Sequence, residues 1–143
     1  MAFLTDQDQA AVRREFEKLD GPVKLVVFSQ ELESADLCRQ NEALVNEVAA
    51  LAPDKVTVEV LNPAIDRERA EGYGVDRVPA IVVEGARDYG IRFLGIPGGY
   101  EFSNLIDSMI VASTGQAGVS AETHTALAGL TTDIHIKVFS TPT

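Results

Sequence analysis

One cysteine, Cys38, is all the thiol chemistry this chain can draw on. A lone cysteine closes no internal disulfide, and it rules out the cysteine-rich zinc sites. The two histidines, His124 and His135, have no ligand-spaced companions, so neither a metal nor a cofactor is expected. Cations are scarce as well. Twelve Lys and Arg face 22 Asp and Glu, a net charge of −10, and no basic block interrupts that balance. Such a field repels phosphate backbones and anionic lipid, which argues against nucleic acid and membrane surfaces as partners. No apolar run approaches the roughly 20 residues of a membrane-crossing helix. Residues 1–20 are acidic and amphipathic rather than leader-like, so a cytoplasmic protein is expected.

What the chain does have is one domain's worth of periodic structure, 143 residues with 45% hydrophobic and 24% charged. Thr5 and Asp8 have capping-box spacing, and behind them Val12, Phe16 and Leu19 recur as one helical face. Asp20-Gly21-Pro22 stops that helix. Val23–Phe28 is almost entirely apolar, the pattern of a strand buried on both faces, with Lys24 near one end as its exception. This strand leads through a polar turn into a helix expected over 33–51. Its apolar stripe is Leu37, Leu44, Val45, Val48 and Leu51, with Arg39, Gln40, Glu42 and Glu47 facing water.

Beyond Pro53, Lys55–Leu61 alternates, with Val56, Val58 and Val60 opposite Thr57 and Glu59, as an edge strand would. Strand, helix, strand imply a right-handed parallel crossover. A short charged helix over 66–71 follows, then Ile81–Val83 and Tyr89–Ile96 as an antiparallel hairpin. The stripe Leu105, Ile106, Met109 and Ile110 predicts a further helix, ending at Gly115. A helix followed by β-α-β-β-α thus builds a four-stranded mixed sheet with helices available for both faces.

Residues 116–143 do not belong to this first unit of 1–115. Ser120 caps an expected helix over 121–129, and Asp133–Phe139 reads as a strand with Ile134, Ile136 and Val138 on one side. Leu130, Phe139 and Ser140 repeat Leu19, Phe28 and Ser29 at a constant offset, with a shared apolar pattern between them. We read this as the start of a second copy of the same unit. Its strand, without a sheet of its own, is expected to add to the first unit's sheet edge or to pair with another copy of the chain, giving a homodimer through 134–139.

With these stretches in hand, the chain resembles the N-terminal part of the two-unit, glutaredoxin-like protein disulfide oxidoreductases. It is also similar to the tandem-thioredoxin N-terminal domain of the alkyl hydroperoxide reductase flavoprotein subunit. The matching stretches are Pro22–Leu25, Arg77-Val78-Pro79-Ala80, Tyr89–Phe102 with its Gly95-Ile96-Pro97-Gly98-Gly99-Tyr100-Glu101-Phe102 run, and Phe139-Ser140-Thr141-Pro142-Thr143. The resemblance implies a thioredoxin-like α/β fold, and a second-unit Cys-x-x-Cys lying beyond Thr143. In the first unit the corresponding place reads Ala35-Asp36-Leu37-Cys38. The resolving position keeps its cysteine and the attacking position is alanine.

Dithiol exchange needs an exposed thiolate at a helix N-terminus and a second thiol to resolve the mixed disulfide. Ala35 offers no nucleophile, and Cys38, one turn further in, reads as a small core residue, with a monothiol role as the alternative. Val78 and Pro79 fit the cis-proline loop that, in the family, presents backbone to an extended peptide or thiol substrate. Proline is the residue for which a cis bond costs least. Glu31, Glu33 and Asp36 form a solvated acidic turn, and the glycines at 95, 98 and 99 lack the Lys-Ser/Thr of a phosphate loop. The expectation is a redox-inactive unit that scaffolds or recognises thiol/disulfide proteins for a disulfide-reducing second unit. Catalysis through Cys38 alone and a stand-alone binding module are the alternatives.

Overall fold

The computed structural model describes residues 2–141. Its elements in chain order are α1 (Asp6–Phe16), β1 (Val23–Phe28), α2 (Ala35–Ala49), β2 (Val56–Leu61), α3 (Arg67–Tyr73), β3 (Ala80–Glu84), β4 (Asp88–Leu94), α4 (Tyr100–Thr114) and α5 (Ala121–Ala128). The four strands form one mixed sheet in the order β2-β1-β3-β4, with β1 parallel to β2 and antiparallel to β3, and β3 antiparallel to β4. This is the thioredoxin-like plan.

The near-continuous apolar run of β1 is explained by its central place, because both of its faces are covered. Leu25 and Val27 join Ile81 and Val83 under Leu44, Val45 and Val48 of α2 and Leu105 and Met109 of α4, with Val12 and Phe16 of α1 completing that side. Val26 and Phe28 point the other way, into a smaller cluster with Leu61, Ala70, Val75, Ala80 and Val82. Period-two alternation along a strand is what divides one run between two cores. Phe28 meets Tyr73 edge-on at 5.9 Å, which anchors α3 over this second face.

Local chemistry sets the boundaries. The Thr5–Asp8 capping box forms in full, and the Glu47 carboxylate accepts from the backbone N–H of Phe3 and Leu4, tying the N-terminal segment to the end of α2. Ser113 Oγ donates to Gly21 O at 2.7 Å and accepts from Asp20 N, joining the end of α4 to the turn before β1. Gly74 and Gly115 end α3 and α4 in the left-handed conformation, which glycine adopts without steric penalty.

Four expectations are corrected. Leu37 is not in the buried stripe but 48% exposed, and Cys38 and Asn41 take the inward places. Leu37 lies in the first turn of α2, at the open end of the sheet. Glu42 and Glu47 do not simply face water, since each accepts hydrogen bonds from elsewhere in the chain. Val60 is 48% exposed, because the outer side of β2 has no neighbouring strand. Of the two pairings expected for residues 134–139, the one within the chain is not formed: among the described residues they make no strand and do not join the sheet edge. An isolated strand has no partner for its backbone groups and does not persist alone. The 121–129 helix does form, as Ala121–Ala128, and Pro142-Thr143 of the terminal motif lie outside the described residues.

Candidate functional site

The sheet's register brings four connections to one end. Phe28, the last residue of β1, is opposite both Leu61, the last of β2, and Ala80, the first of β3; Ala80 in turn faces Leu94, the last of β4. The β1–α2 turn, the segment after β2, the loop entering β3 and the Gly95–Gly99 stretch therefore share that end.

The loop entering β3 carries the Val78–Pro79 bond, which is cis, as the sequence leads one to expect. Pro79 is buried and its carbonyl accepts from Gly95 N at 2.9 Å, while Val78 stays partly exposed. The β1–α2 turn ends at Ser34, the one non-glycine residue among those described with a positive φ, at 53°. Ala35 follows as the first residue of α2 and is half-buried. Cys38 is one turn deeper. It is 1% exposed; its N–H donates to Ser34 O at 2.9 Å and its Sγ lies 3.8 Å from Glu33 O. The topology thus brings Ala35, Cys38, Val78 and Pro79 to one end of the sheet, but it withdraws the thiol from the surface and leaves a methyl group at the helix start.

The electrostatics of the turn were only partly visible in the sequence. Arg39 donates to Glu31 at 2.9 Å and also pairs with Asp36, so two of the three acidic residues are bridged by one guanidinium on the exposed side of α2. Ser29 Oγ, at the end of β1, donates to the Glu42 carboxylate, and Glu42 stands one helical turn beyond Cys38. Asn41, between them, is fully buried, and neither of its side-chain polar atoms has a hydrogen-bond partner among the described residues. The i+3 and i+4 spacing of Asn41 and Glu42 from Cys38 was the signal that could have found them.

On the α3 face, Glu59 of β2 pairs with Arg69 of α3 and Lys24 of β1. The Arg69 guanidinium first, and Lys24 second, hold the Glu59 carboxyl down at about 2. Arg92 stacks over the Tyr73 ring at 5.5 Å, donates to Tyr73 O and pairs with Asp88 at 2.6 Å. Burial pushes the Tyr73 hydroxyl up from its ordinary range, with Glu84 adding to the shift. These groups brace α3 beneath the cis-proline loop rather than reaching the turn at Ala35. Among the described residues no three His, Cys, Asp or Glu side chains come together as a metal site, and no helix is long and apolar enough to cross a membrane.

The same end of the sheet is apolar at its rim. Leu32, Leu37, Ile65, Leu94 and Tyr100 are all exposed in the converging connections or at their borders. Clustered exposed apolar side chains mark interaction surfaces more often than scattered ones do.

Among solved structures, the NTD_N/C domain of alkylhydroperoxide reductase AhpF from Enterococcus faecalis superposes with a TM-score of 0.78 at 22% identity. That match covers 86% of this chain and 59% of the other. A protein disulfide oxidoreductase from Aeropyrum pernix superposes with a TM-score of 0.76 at 21% identity, over 91% of this chain and 56% of the other. The chain therefore spans somewhat over half the length of these two structures, and at such identities the likeness speaks for the fold. No family model matches the chain. In sequence, it is 33% identical over 75 residues to the thioredoxin of Methanocaldococcus jannaschii, covering 52% of this chain and 81% of that protein. It is 34% identical over 88 residues to a probable thioredoxin of Methanothermobacter marburgensis, covering 62% of this chain and 96% of that one. With a relative of that identity matched over nearly its whole length, the β-α-β-β-α core and the cis-proline loop have a family: the chain belongs to the thioredoxins.

Proposed function

We propose that this thioredoxin-like oxidoreductase unit does not itself carry out dithiol exchange, and that it serves as the scaffold and recognition half of a disulfide-reducing pair. The observation that carries this reading is Ala35 at the first position of α2, with Cys38, the only thiol, 1% exposed beneath it. Exchange begins with attack by an accessible thiolate, and a buried structural cysteine is inert toward it. Recognition falls to the cis-proline loop, where the backbone of Val78 meets an extended segment of a thiol or disulfide protein inside the apolar rim of Leu32, Leu37 and Tyr100. Residues 116–141 are the opening of the second unit in this reading, and a cytoplasmic setting suits the unpaired thiol.

The test is reduction of insulin and of a glutathione mixed disulfide by the chain and by its Cys38→Ser variant, alongside alkylation of the folded protein near neutral pH. The two proteins are expected to be alike at background, with Cys38 alkylated only on unfolding. Turnover that disappears in Cys38→Ser would make the unit a monothiol catalyst instead.

A further inference from the structure

α1 and α4 pack against one another on the same side of the sheet, and the seam between them is an open groove of about 440 Å3. Its floor is apolar. Val12 and Ile106, 4% and 5% exposed, belong to the core, and Phe102 beside them is half-buried. Three carboxylates form the rim, Asp8 and Glu15 from α1 and Asp107 from α4, and no lysine or arginine lines it.

The charge around this groove is sorted by face. α4 contains no Lys or Arg at all. α1 contains two, and neither reaches the groove: Arg13 stands on the other flank, in a cavity shared with Glu47 of α2, and Arg14 is exposed. The Thr5 hydroxyl donates to the Asp8 carboxylate and holds it below its ordinary range, so Asp8 is charged at neutral pH. Glu15 pairs with Lys18 at the surface, and Asp107 has no hydrogen-bond or ion-pair partner among the described residues. The groove is built wholly from residues 8–15 and 102–107. The segment after Gly115 contributes to two other cavities, one beside Gly98–Glu101 and Asn104 and one beside Val111 and Gly115, and to neither wall of this one.

We propose that this groove is a docking site for a cationic amphipathic helix of a partner protein. A seam between two packed helices receives the side-chain ridge of a third. Both walls are helical and offer no unpaired strand edge, so an extended segment gains no backbone bonds there. The rim sets the sign of the occupant. A neutral or acidic helix would cover three carboxylates without supplying a counter-charge, whereas Lys or Arg meets them at the solvent boundary. Asp8 and Glu15 are seven residues apart on one face of α1, about 10 Å along its axis. The matching occupant carries Lys or Arg at i and i+7, with apolar side chains at i+3 and i+4 resting on Phe102 and closing over Val12 and Ile106. Asp107 adds a third carboxylate from the opposite wall. This site does not depend on the redox reading, because its test measures association and not thiol chemistry.

The test titrates the full chain into a fluorescent synthetic peptide with that pattern, and into a control of identical composition whose Lys and Leu are shuffled onto all faces. The patterned peptide should bind saturably, and the shuffled one at least about tenfold more weakly. Glu15→Lys and Asp107→Lys should each raise the dissociation constant about fivefold or more. Ala11→Leu, which fills the groove without altering its charge, should do the same. Glu71→Lys, an equal change of charge on the exposed surface of α3, should leave it within about twofold. Circular dichroism and the melting temperature check that each variant keeps the fold. Absence of saturable binding overturns the proposal, as does equal binding of the shuffled peptide. A loss in Glu71→Lys as large as that in Asp107→Lys would assign the attraction to net charge and overturn the site. So would unchanged binding by Ala11→Leu, which would place the peptide elsewhere.

Discussion

The hydroxyl of Ser29 donates a hydrogen bond to the carboxylate of Glu42, fastening the end of β1 to α2 one turn beyond Cys38. The contact spans the base of the β1–α2 turn, where a half-buried carboxylate accepts from the Ser29 hydroxyl. Ser29→Ala should cost about 1.5–3 kcal/mol of folding stability, the scale of one hydrogen bond to a charged acceptor. Urea unfolding with an unchanged slope is the measurement, and no loss would show that solvent replaces the donor.

Asn41 behaves in the opposite sense. Its carboxamide is fully buried without a partner among the described residues, so it contributes desolvation cost and no compensating bond. Asn41→Leu, similar in size, should raise stability by about 1–2 kcal/mol. A fall in the unfolding midpoint would reveal a hidden hydrogen bond to this side chain.

Gly85, in the β3–β4 turn, packs its Cα directly against the backbone of α4. A Cβ there would stand 1.8 Å from the Ala112 carbonyl oxygen and 2.6 Å from its carbon. Backbone cannot yield as a side chain does, so Gly85→Ala should destabilise by about 2–3 kcal/mol through displacement of α4. Thermal unfolding checks this, with Gly72→Ala, which meets nothing within 4 Å, as the tolerated control for added bulk.

The acid limb of the stability curve should carry the mark of Glu59. Its carboxyl, held at about 2 by Arg69 and Lys24, titrates near 4.5 when unfolded. The folded state binds the fewer protons, so this stabilisation is complete above pH 4.5 and is lost as the pH falls from there toward 2. Because the network is partly solvent-exposed, the effect is about 0.5–1 kcal/mol. Glu59→Gln should flatten the pH dependence in that window and lower stability at pH 7 by the same amount. An unaltered slope would mean that the pair persists equally in the unfolded chain.

Much of this architecture was legible because the decisive signals are local. The apolar run of β1, the alternation of β2, the Thr5–Asp8 box and the Val78–Pro79 dipeptide each report a backbone environment through a few adjacent residues. The misread positions depend on the third dimension. Leu37 has the right helical spacing for the core, but the sheet ends before it. Glu42 and Glu47 look like surface residues until Ser29 and the backbone of Phe3 and Leu4, distant in sequence, are folded against them. The strand pattern of 134–139 is present, yet a strand needs an edge, and sequence periodicity does not say whose. At the candidate site, the place of Cys38 and Pro79 was readable, whereas the Arg39 bridge to Glu31 depends on how the β1–α2 turn folds back against the first turn of α2.

In the proposed function, Ala35 stands at the start of α2 where dithiol exchange needs an attacking thiol. Returning that thiol tests it most directly: insulin reduction by the unaltered chain, by Ala35→Cys, and by Ala35→Cys combined with Cys38→Ser. Background turnover is expected for the unaltered chain, a clear gain for Ala35→Cys, and loss of that gain in the double variant. Turnover by the unaltered chain that depends on Cys38 would contradict the proposed redox-inactive role.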